Sequence, residues 1–293
     1  MDDRESLAVQ FEAHRRQLRA VAYRMLGSLA EADDVVQDAW LRLSRSDTRA
    51  VENLGAWLTT VVARLCLDAL RTRKARREEP MGVRMPEPIV SGADGMDPEQ
   101  EALLADSVGM ALLVVLETLT PAERLAFVLH DTFGLPFDQI APIVGRSPVA
   151  TRQLASRARR RVRGAVPATD VDLRRQREVV DAFVAASRSG DFAALLSVLD
   201  PDVVVRADFG PRSGVPAEVR GAQRVAESAM AFRRFAATSR SAIINGAAGF
   251  VAFAADRPYA VLAFTVRGDR IVEIDVLADP ARLRDLDLAV LDA

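Results

Sequence analysis

The chain has 293 residues, 39 of them basic and 41 acidic, a formal net charge of −2, and 49% hydrophobic content. That composition predicts an ordinary water-soluble protein of two or three domains with their own cores. No apolar run reaches bilayer-spanning length, and the Met-Asp-Asp-Arg-Glu start lacks an export-signal pattern, so a cytoplasmic protein without membrane contact is expected. One cysteine and two histidines exclude an internal disulfide and any plausible zinc cluster. No metal or cofactor is expected.

Residues 7–78 predict three helices with apolar residues at three-and-four spacing. Leu18, Val21, Ala22, Met25 and Leu26 form the first stripe, and Val35, Val36, Ala39, Trp40 and Leu43 the second. Leu58, Val61, Val62, Leu65 and Leu70 form the third, with Cys66 beside them as a buried apolar residue. On the second helix Asp34, Gln37 and Asp38 stand at i, i+3 and i+4 and share a polar face with Asp33 near the start. The third helix ends on Arg64, Arg71, Arg73, Lys74, Arg76 and Arg77 with only Asp68 between them. Cations favour a helix C-terminus, but so many exceed that need, and phosphate contact is the stronger expectation.

Residues 79–98, rich in proline and glycine, predict a flexible linker. Helix resumes near Pro98. Thr120-Pro121-Ala122-Glu123 has the chemistry of a capping box. Residues 136–163 then predict a helix, a tight turn at Gly145, and a second helix with Ser147 as N-cap and Pro148 at its first position. This is a helix-turn-helix pattern, in which the second helix enters the DNA major groove. From Ile140 to Val166 there are seven arginines and no acidic residue. Val149, Arg152, Gln153, Ser156 and Arg160 fall on one face of that helix, against an apolar face of Leu154, Ala158 and Val162. Pro142 sits awkwardly in the first helix unless that helix starts late.

Beyond Pro167 the pattern changes to α+β. Two helices over 172–199, broken at Ser189-Gly190-Asp191, and one over 217–236 accompany strands at 203–205, 242–244, 249–254, 259–266 and 271–277. A hairpin turn at Gly268-Asp269 joins the last two, and the strands read as an antiparallel run.

The motifs together carry a resemblance. Phe11-Glu12-Ala13-His14, Ala32-Asp33-Asp34-Val35-Val36-Gln37-Asp38-Ala39-Trp40 and Ala56-Trp57-Leu58-Thr59-Thr60 resemble region 2 of bacterial sigma factors of the extracytoplasmic-function group. Leu119-Thr120-Pro121-Ala122-Glu123-Arg124 and the helix-turn-helix resemble region 4, although Leu154 stands where the family commonly has arginine. The resemblance implies an RNA polymerase sigma factor: Asp33, Asp34, Gln37 and Asp38 dock on the β′ subunit of core polymerase, which also supplies β. It implies −10 element contact by Asn53, which can accept a flipped base, and by Arg64, Arg71, Arg73, Lys74, Arg76 and Arg77. Contact with the −35 element falls to Arg146, Ser147, Arg152, Gln153, Ser156, Arg157 and Arg160. Trp57 reads as core.

Residues 172–293 resemble the SnoaL-like α+β cone, through Ser189-Gly190-Asp191-Phe192 and Leu199-Asp200-Pro201-Asp202-Val203. Some sigma factors carry such a domain with two regulatory motifs, matched in part here by Asp208-Phe209-Gly210-Pro211-Arg212 and by Asp279-Pro280-Ala281-Arg282-Leu283. The expected architecture is therefore multidomain: an all-α region 2 over 7–78, a linker over 79–98, an all-α region 4 over 99–166, and a regulatory α+β cone over 172–293. The cone is expected to contact the sigma domains within the chain. Two other readings compete: a helix-turn-helix regulator whose cone senses a small molecule, and a SnoaL-like enzyme with a DNA-binding appendage. Residues 172–293 hold no histidine or cysteine, so an enzyme's general base would have to be a carboxylate such as Asp208 or Asp275. No catalysis is expected.

Overall fold

A computed structural model describes residues 3–46, 53–75, 84–92, 109–165, 171–210, 217–233 and 238–291. Contacts divide them into two units. One takes in the chain up to Ala75 and from Val115 to Ala165; the other takes in residues 84–92, 109–114 and the described residues from 171 on.

In the first unit, α1 (Asp3–Leu26), α2 (Leu29–Leu43) and α3 (Leu54–Ala75) pack through the three apolar stripes. Leu18, Val21, Ala22, Met25, Val36, Ala39, Leu43, Leu58 and Val62 are all essentially inaccessible to solvent. Each large aliphatic side chain buried this way contributes about 1.5–3 kcal/mol. Ser28 caps α2, its Oγ accepting from Glu31 N at 3.4 Å. Trp40 tilts against Phe11 with ring centroids 5.2 Å apart.

The helix α4 (Met110–Glu117) has Leu113, Val114, Val115 and Leu116 all buried. The helix α5 (Pro121–Phe127) opens on the expected box: Thr120 Oγ1 accepts from Glu123 N, and the Glu123 carboxylate accepts from Thr120 N. It continues as a π-helical turn, Val128–Thr132, whose His130 stacks on Phe137. The helix α6 (Phe137–Val144) contains Pro142 in its interior, so the late start that would spare the missing donor is not taken. Gly145 ends α6 in the left-handed region (φ 74°), and both Gly145 N and Arg146 N donate to Ala141 O. The helix α7 (Pro148–Ala165) follows with Ser147 as cap, its Oγ accepting from Ala150 N at 3.2 Å. The inner face of α7 is Thr151, Ala155 and Ala158, with Leu154 and Val162 only half-buried. Small residues let α7 sit close on α5 and α6, which displaces the larger pair to the margin.

In the second unit, α8 (Leu173–Ser189) and α9 (Phe192–Val198) are separated by Gly190 at φ 75° and by the cap Asp191. The strands are β1 (Val90–Gly92), β2 (Leu199–Asp208), β3 (Glu218–Arg220), β4 (Arg240–Ile244), β5 (Ala247–Ala254), β6 (Arg257–Arg267) and β7 (Arg270–Leu277). They form one sheet in the order β1-β4-β5-β6-β7-β2-β3. Helices α8, α9 and α10 (Ala222–Ala231) cover one face; Met85, Met110, Val114, Leu283 and their neighbours pack on the other. A short helix, α11 (Pro280–Leu283), follows β7.

Three features depart from expectation. β2 pairs parallel with β7, so the sheet is mixed. Residues 218–220, inside the stretch that predicts a helix, form an edge strand before α10 begins. Residues 84–92, inside the expected linker, lie against the sheet, where Val90, Ser91 and Gly92 pair antiparallel with Ile244, Ile243 and Ala242. The open edge of β4 supplies the backbone partners that a solvated linker would otherwise find in water.

Candidate polymerase and nucleic-acid interfaces

The acidic face of α2 forms as its spacing requires. Val35, Val36 and Ala39 turn inward, leaving Asp33, Asp34, Gln37 and Asp38 exposed. Asp33 differs from the others in being held by Arg19, whose Nε and Nη2 donate to Oδ1 and Oδ2 at 2.6 and 3.0 Å. Asp34, Gln37 and Asp38 are therefore the members of the set most open to a partner.

The basic end of α3 is less uniform than its sequence. Arg64 and Lys74 are exposed, and Arg71 lies 3.7 Å from Asp68. Arg73 hydrogen-bonds Glu31 and ties α3 to α2. Arg76 and Arg77 lie outside the described residues, as does part of the preceding loop. Asn53 is exposed and caps α3, its Oδ1 accepting from Ala56 N at 3.0 Å. Trp57 is half-buried. Burial pushes the Cys66 thiol up to about 12, so it is an inert part of the core.

On α7 the expected reading face is exposed throughout: Val149, Arg152, Gln153, Ser156, Arg157 and Arg160, with Arg146 and Ser147 at the turn. Arg152 also packs its guanidinium over Phe137, 5.4 Å from the ring centroid, which restricts it without neutralising it. Two carboxylates moderate the rest. Glu123 meets Arg161 at 3.0 Å and Arg157 at 3.5 Å, and Asp131 takes Arg159 bidentately at 2.7 and 3.1 Å. Burial alone would raise the Glu123 pKa, but hydrogen bonds from Thr120 and the two arginine charges hold it below the ordinary carboxylate value. Arg146, Arg152, Arg160 and Arg163 have no carboxylate partner among the described residues.

The two partial motifs of the α+β unit meet in space. Arg282 Nη1 donates to Asp208 Oδ2 at 2.7 Å. Gly210, at φ 80°, donates its N–H to Asp208 Oδ1 at 3.0 Å, and a Cβ there would lie 3.0 Å from Asp279 Cγ. Only glycine meets both demands. Asp279 caps α11 through Ala281 N, with Pro280 at the first helical position and Leu283 buried beneath. Pro211 and Arg212 lie outside the described residues.

The same Asp208 Oδ2 accepts from Met85 N at 3.1 Å. Four residues on, Asn245 exchanges two bonds with Ile89: Ile89 N donates to its Oδ1 at 3.0 Å and its N–H donates to Ile89 O at 2.9 Å. Sequence reasoning missed Asn245, although Asn245-Gly246, at φ 49° and 80°, is a strong hairpin signal. Asp275, the other carboxylate considered for catalysis, is buried beside Glu273 and Arg206 on this same face of the sheet.

Two arginine-bearing helical segments and an α+β domain that holds the chain between them define a multidomain transcription factor. The chain matches Sigma-70 region 2 over residues 10–76 and Sigma-70, region 4 over residues 109–162. It is 38% identical over 288 residues to the ECF RNA polymerase sigma factor SigJ of Mycobacterium tuberculosis, covering 92% of this chain and 91% of that one. It is 37% identical over 287 residues to the probable ECF RNA polymerase sigma factor SigI of the same species, covering 98% of each. The crystal structure of M. tuberculosis SigJ matches with a TM-score of 0.77 at 35% identity, over 96% of this chain and 99% of that one. The chain belongs to the extracytoplasmic-function RNA polymerase sigma factors, and its function is promoter-specific initiation of transcription with core polymerase. No described helix is long and apolar enough to cross a membrane.

Proposed function

We propose that this sigma factor divides its work by residue as follows. Asp34, Gln37 and Asp38, with Asp33 at the margin, dock on the β′ subunit; a second contact reaches β. Asn53, Arg64, Arg71, Lys74 and the basic residues to Arg77 hold the −10 region. Arg146, Ser147, Arg152, Gln153, Ser156, Arg157 and Arg160 hold the −35 element. Residues 7–78 act as region 2, 79–98 join it to 99–166 as region 4, and 172–293 regulate. The factor works in the cytoplasm and makes or breaks no covalent bond itself.

Regulation is read from one observation: Met85–Gly92, in chain order between the two sigma regions, hydrogen-bonds to Asp208 and Asn245 and adds a strand to the C-terminal sheet. In this reading the C-terminal domain modulates promoter output by holding that segment, and releasing it changes the freedom of regions 2 and 4 to engage two promoter elements together.

Run-off transcription with core polymerase tests both parts. Asp34→Lys with Asp38→Lys should weaken assembly with polymerase while circular dichroism stays unchanged. Asp208→Ala with Asn245→Ala should change transcript yield without weakening assembly. Unaltered polymerase affinity in the first case would remove the docking assignment, and unaltered yield in the second would remove the regulatory one.

A further inference from the structure

The C-terminal unit encloses a cavity of about 270 Å³ between the sheet and helices α8 and α10. Phe183, Val205, Phe209, Phe250, Leu262 and Ile274 form much of its wall. None of the described lining residues carries a charge, a thiol or an imidazole. The lining hydroxyls are few. Ser187 Oγ donates to Phe183 O at 2.8 Å and Ser228 Oγ to Arg224 O at 2.9 Å, so both hydroxyl hydrogens are used within their own helices. Tyr259 supplies the remaining hydroxyl.

Strand alternation explains this chemistry. On β2, Val205 and Ala207 face the cavity while Arg206 and Asp208 face the other side; on β7, Ile274 and Val276 alternate with Glu273 and Asp275. Every carboxylate of these two strands that could serve as a general base is thereby turned away from the space. Protein interiors ordinarily close to crystal-like density, and an unfilled volume forfeits dispersion contacts around its whole wall. An apolar cavity of about 150 Å³ already accommodates benzene, so this one has room for two or three rings or a comparable aliphatic chain.

We propose that this cavity is a binding site, without turnover, for an uncharged and largely hydrocarbon small molecule. The wall excludes carboxylates, phosphates and ammonium groups, because none would find a counter-charge there. Phe232, 41% exposed and part of the lining, marks the side open to solvent.

The test uses the full chain and two dyes sharing the same rings: N-phenyl-1-naphthylamine, which is uncharged, and 8-anilino-1-naphthalenesulfonate. The first should bind saturably, one per chain, with blue-shifted emission. The sulfonate should bind roughly tenfold or more weakly. Ala229→Phe and, separately, Ser228→Phe on α10 should each weaken binding of the uncharged dye roughly tenfold, with thermal unfolding confirming a folded chain. Val149→Ala, an exposed apolar residue on α7, should leave binding unchanged. Absence of saturable binding, equal binding of the sulfonate, or undiminished binding in either folded phenylalanine variant would overturn the proposal. Neither polymerase nor promoter is present, so the result is independent of the regulatory reading above.

Discussion

Arg124 Nε donates to the main-chain carbonyl of Arg24 at 3.0 Å, joining the start of α5 to the end of α1 within the first unit. The same guanidinium donates through Nη1 to Glu117 at 2.7 Å and is buried. Arg24 in turn places its charge over the Phe133 ring, 5.0 Å from the centroid. A region 2 residue and a region 4 residue are thus fastened by a buried, charge-assisted group. Arg124→Ala leaves Glu117 and the Arg24 carbonyl without their donor, and should lower unfolding free energy by about 2–3 kcal/mol in urea titration. Arg124→Lys should recover only part of that, because an ammonium cannot reproduce the planar fork.

Asp275 governs an expected pH dependence. It is buried beside Glu273, with Arg206 hydrogen-bonded to Glu273 and 3.7 Å from Asp275 Oδ1, and it lines a small void together with Met85 and Pro88. Burial first, then the charge of Glu273, pushes the Asp275 carboxyl well above its ordinary value, and burial also raises Glu273. One guanidinium therefore faces two buried carboxyls, and Asp275 keeps its proton to higher pH than an ordinary aspartate. The folded state binds this proton more tightly than the unfolded chain. Stability from this group is complete below the ordinary aspartate value and falls as pH rises towards the folded one. Asp275→Asn retains a donor towards Glu273 and removes the titration. Its urea midpoint should exceed the parent's near neutral pH and converge with it near pH 4; a constant difference across the range would contradict this assignment.

Local chemistry was legible in the sequence and distant pairing was not. Ser147-Pro148, Gly145, Thr120 with Glu123, and Gly190-Asp191 act within one turn of chain, so their types and order sufficed to place five helix ends. Period likewise sufficed for the stripe of α1 and most of that of α2. On α3, however, Val61 and Leu65 are only half-buried, while Ala63, Cys66 and Leu67 join Leu58, Val62 and Leu70 in the core. By contrast, Asp208 meets Met85 and Arg282 from 123 and 74 residues away, and Arg73 meets Glu31 across 42. No periodicity reports such meetings. β1 escaped because a three-residue strand in a proline-rich stretch owes its structure to the vacant edge of β4 rather than to propensity. The parallel pairing of β2 with β7 escaped for a related reason: the intervening helix and hairpins, not the strands themselves, bring β2 back alongside.

Removing the Asp208 carboxylate should release the segment at residue 85. Met85 N and Arg282 both lose their acceptor in Asp208→Ala, while β5 and β6 keep every ladder bond. Amide hydrogen exchange at Met85 should accelerate roughly tenfold, with the central strands unchanged. Arg282→Ala should give a smaller acceleration, since it leaves the Met85 bond in place. If central strands loosened equally, Asp208 would be a general stability residue and not a latch for the segment.

The salt dependence of promoter binding should separate the arginines of α7. Each arginine that neutralises a phosphate releases counterions, and its loss lowers the logarithmic salt slope by about 1. Arg160 is exposed and has no carboxylate partner among the described residues, so Arg160→Ala should show that full decrement in the polymerase complex. Arg157 already shares Glu123 with Arg161, and its truncation should show less. Glu123→Gln provides the opposite sign. Glutamine preserves the capping box with Thr120 but withdraws the negative charge, freeing two arginines for phosphate. It should tighten binding and steepen the slope, measured by equilibrium titration at several salt concentrations. A slope unchanged in both Arg160→Ala and Glu123→Gln would mean that α7 does not lie along the DNA backbone.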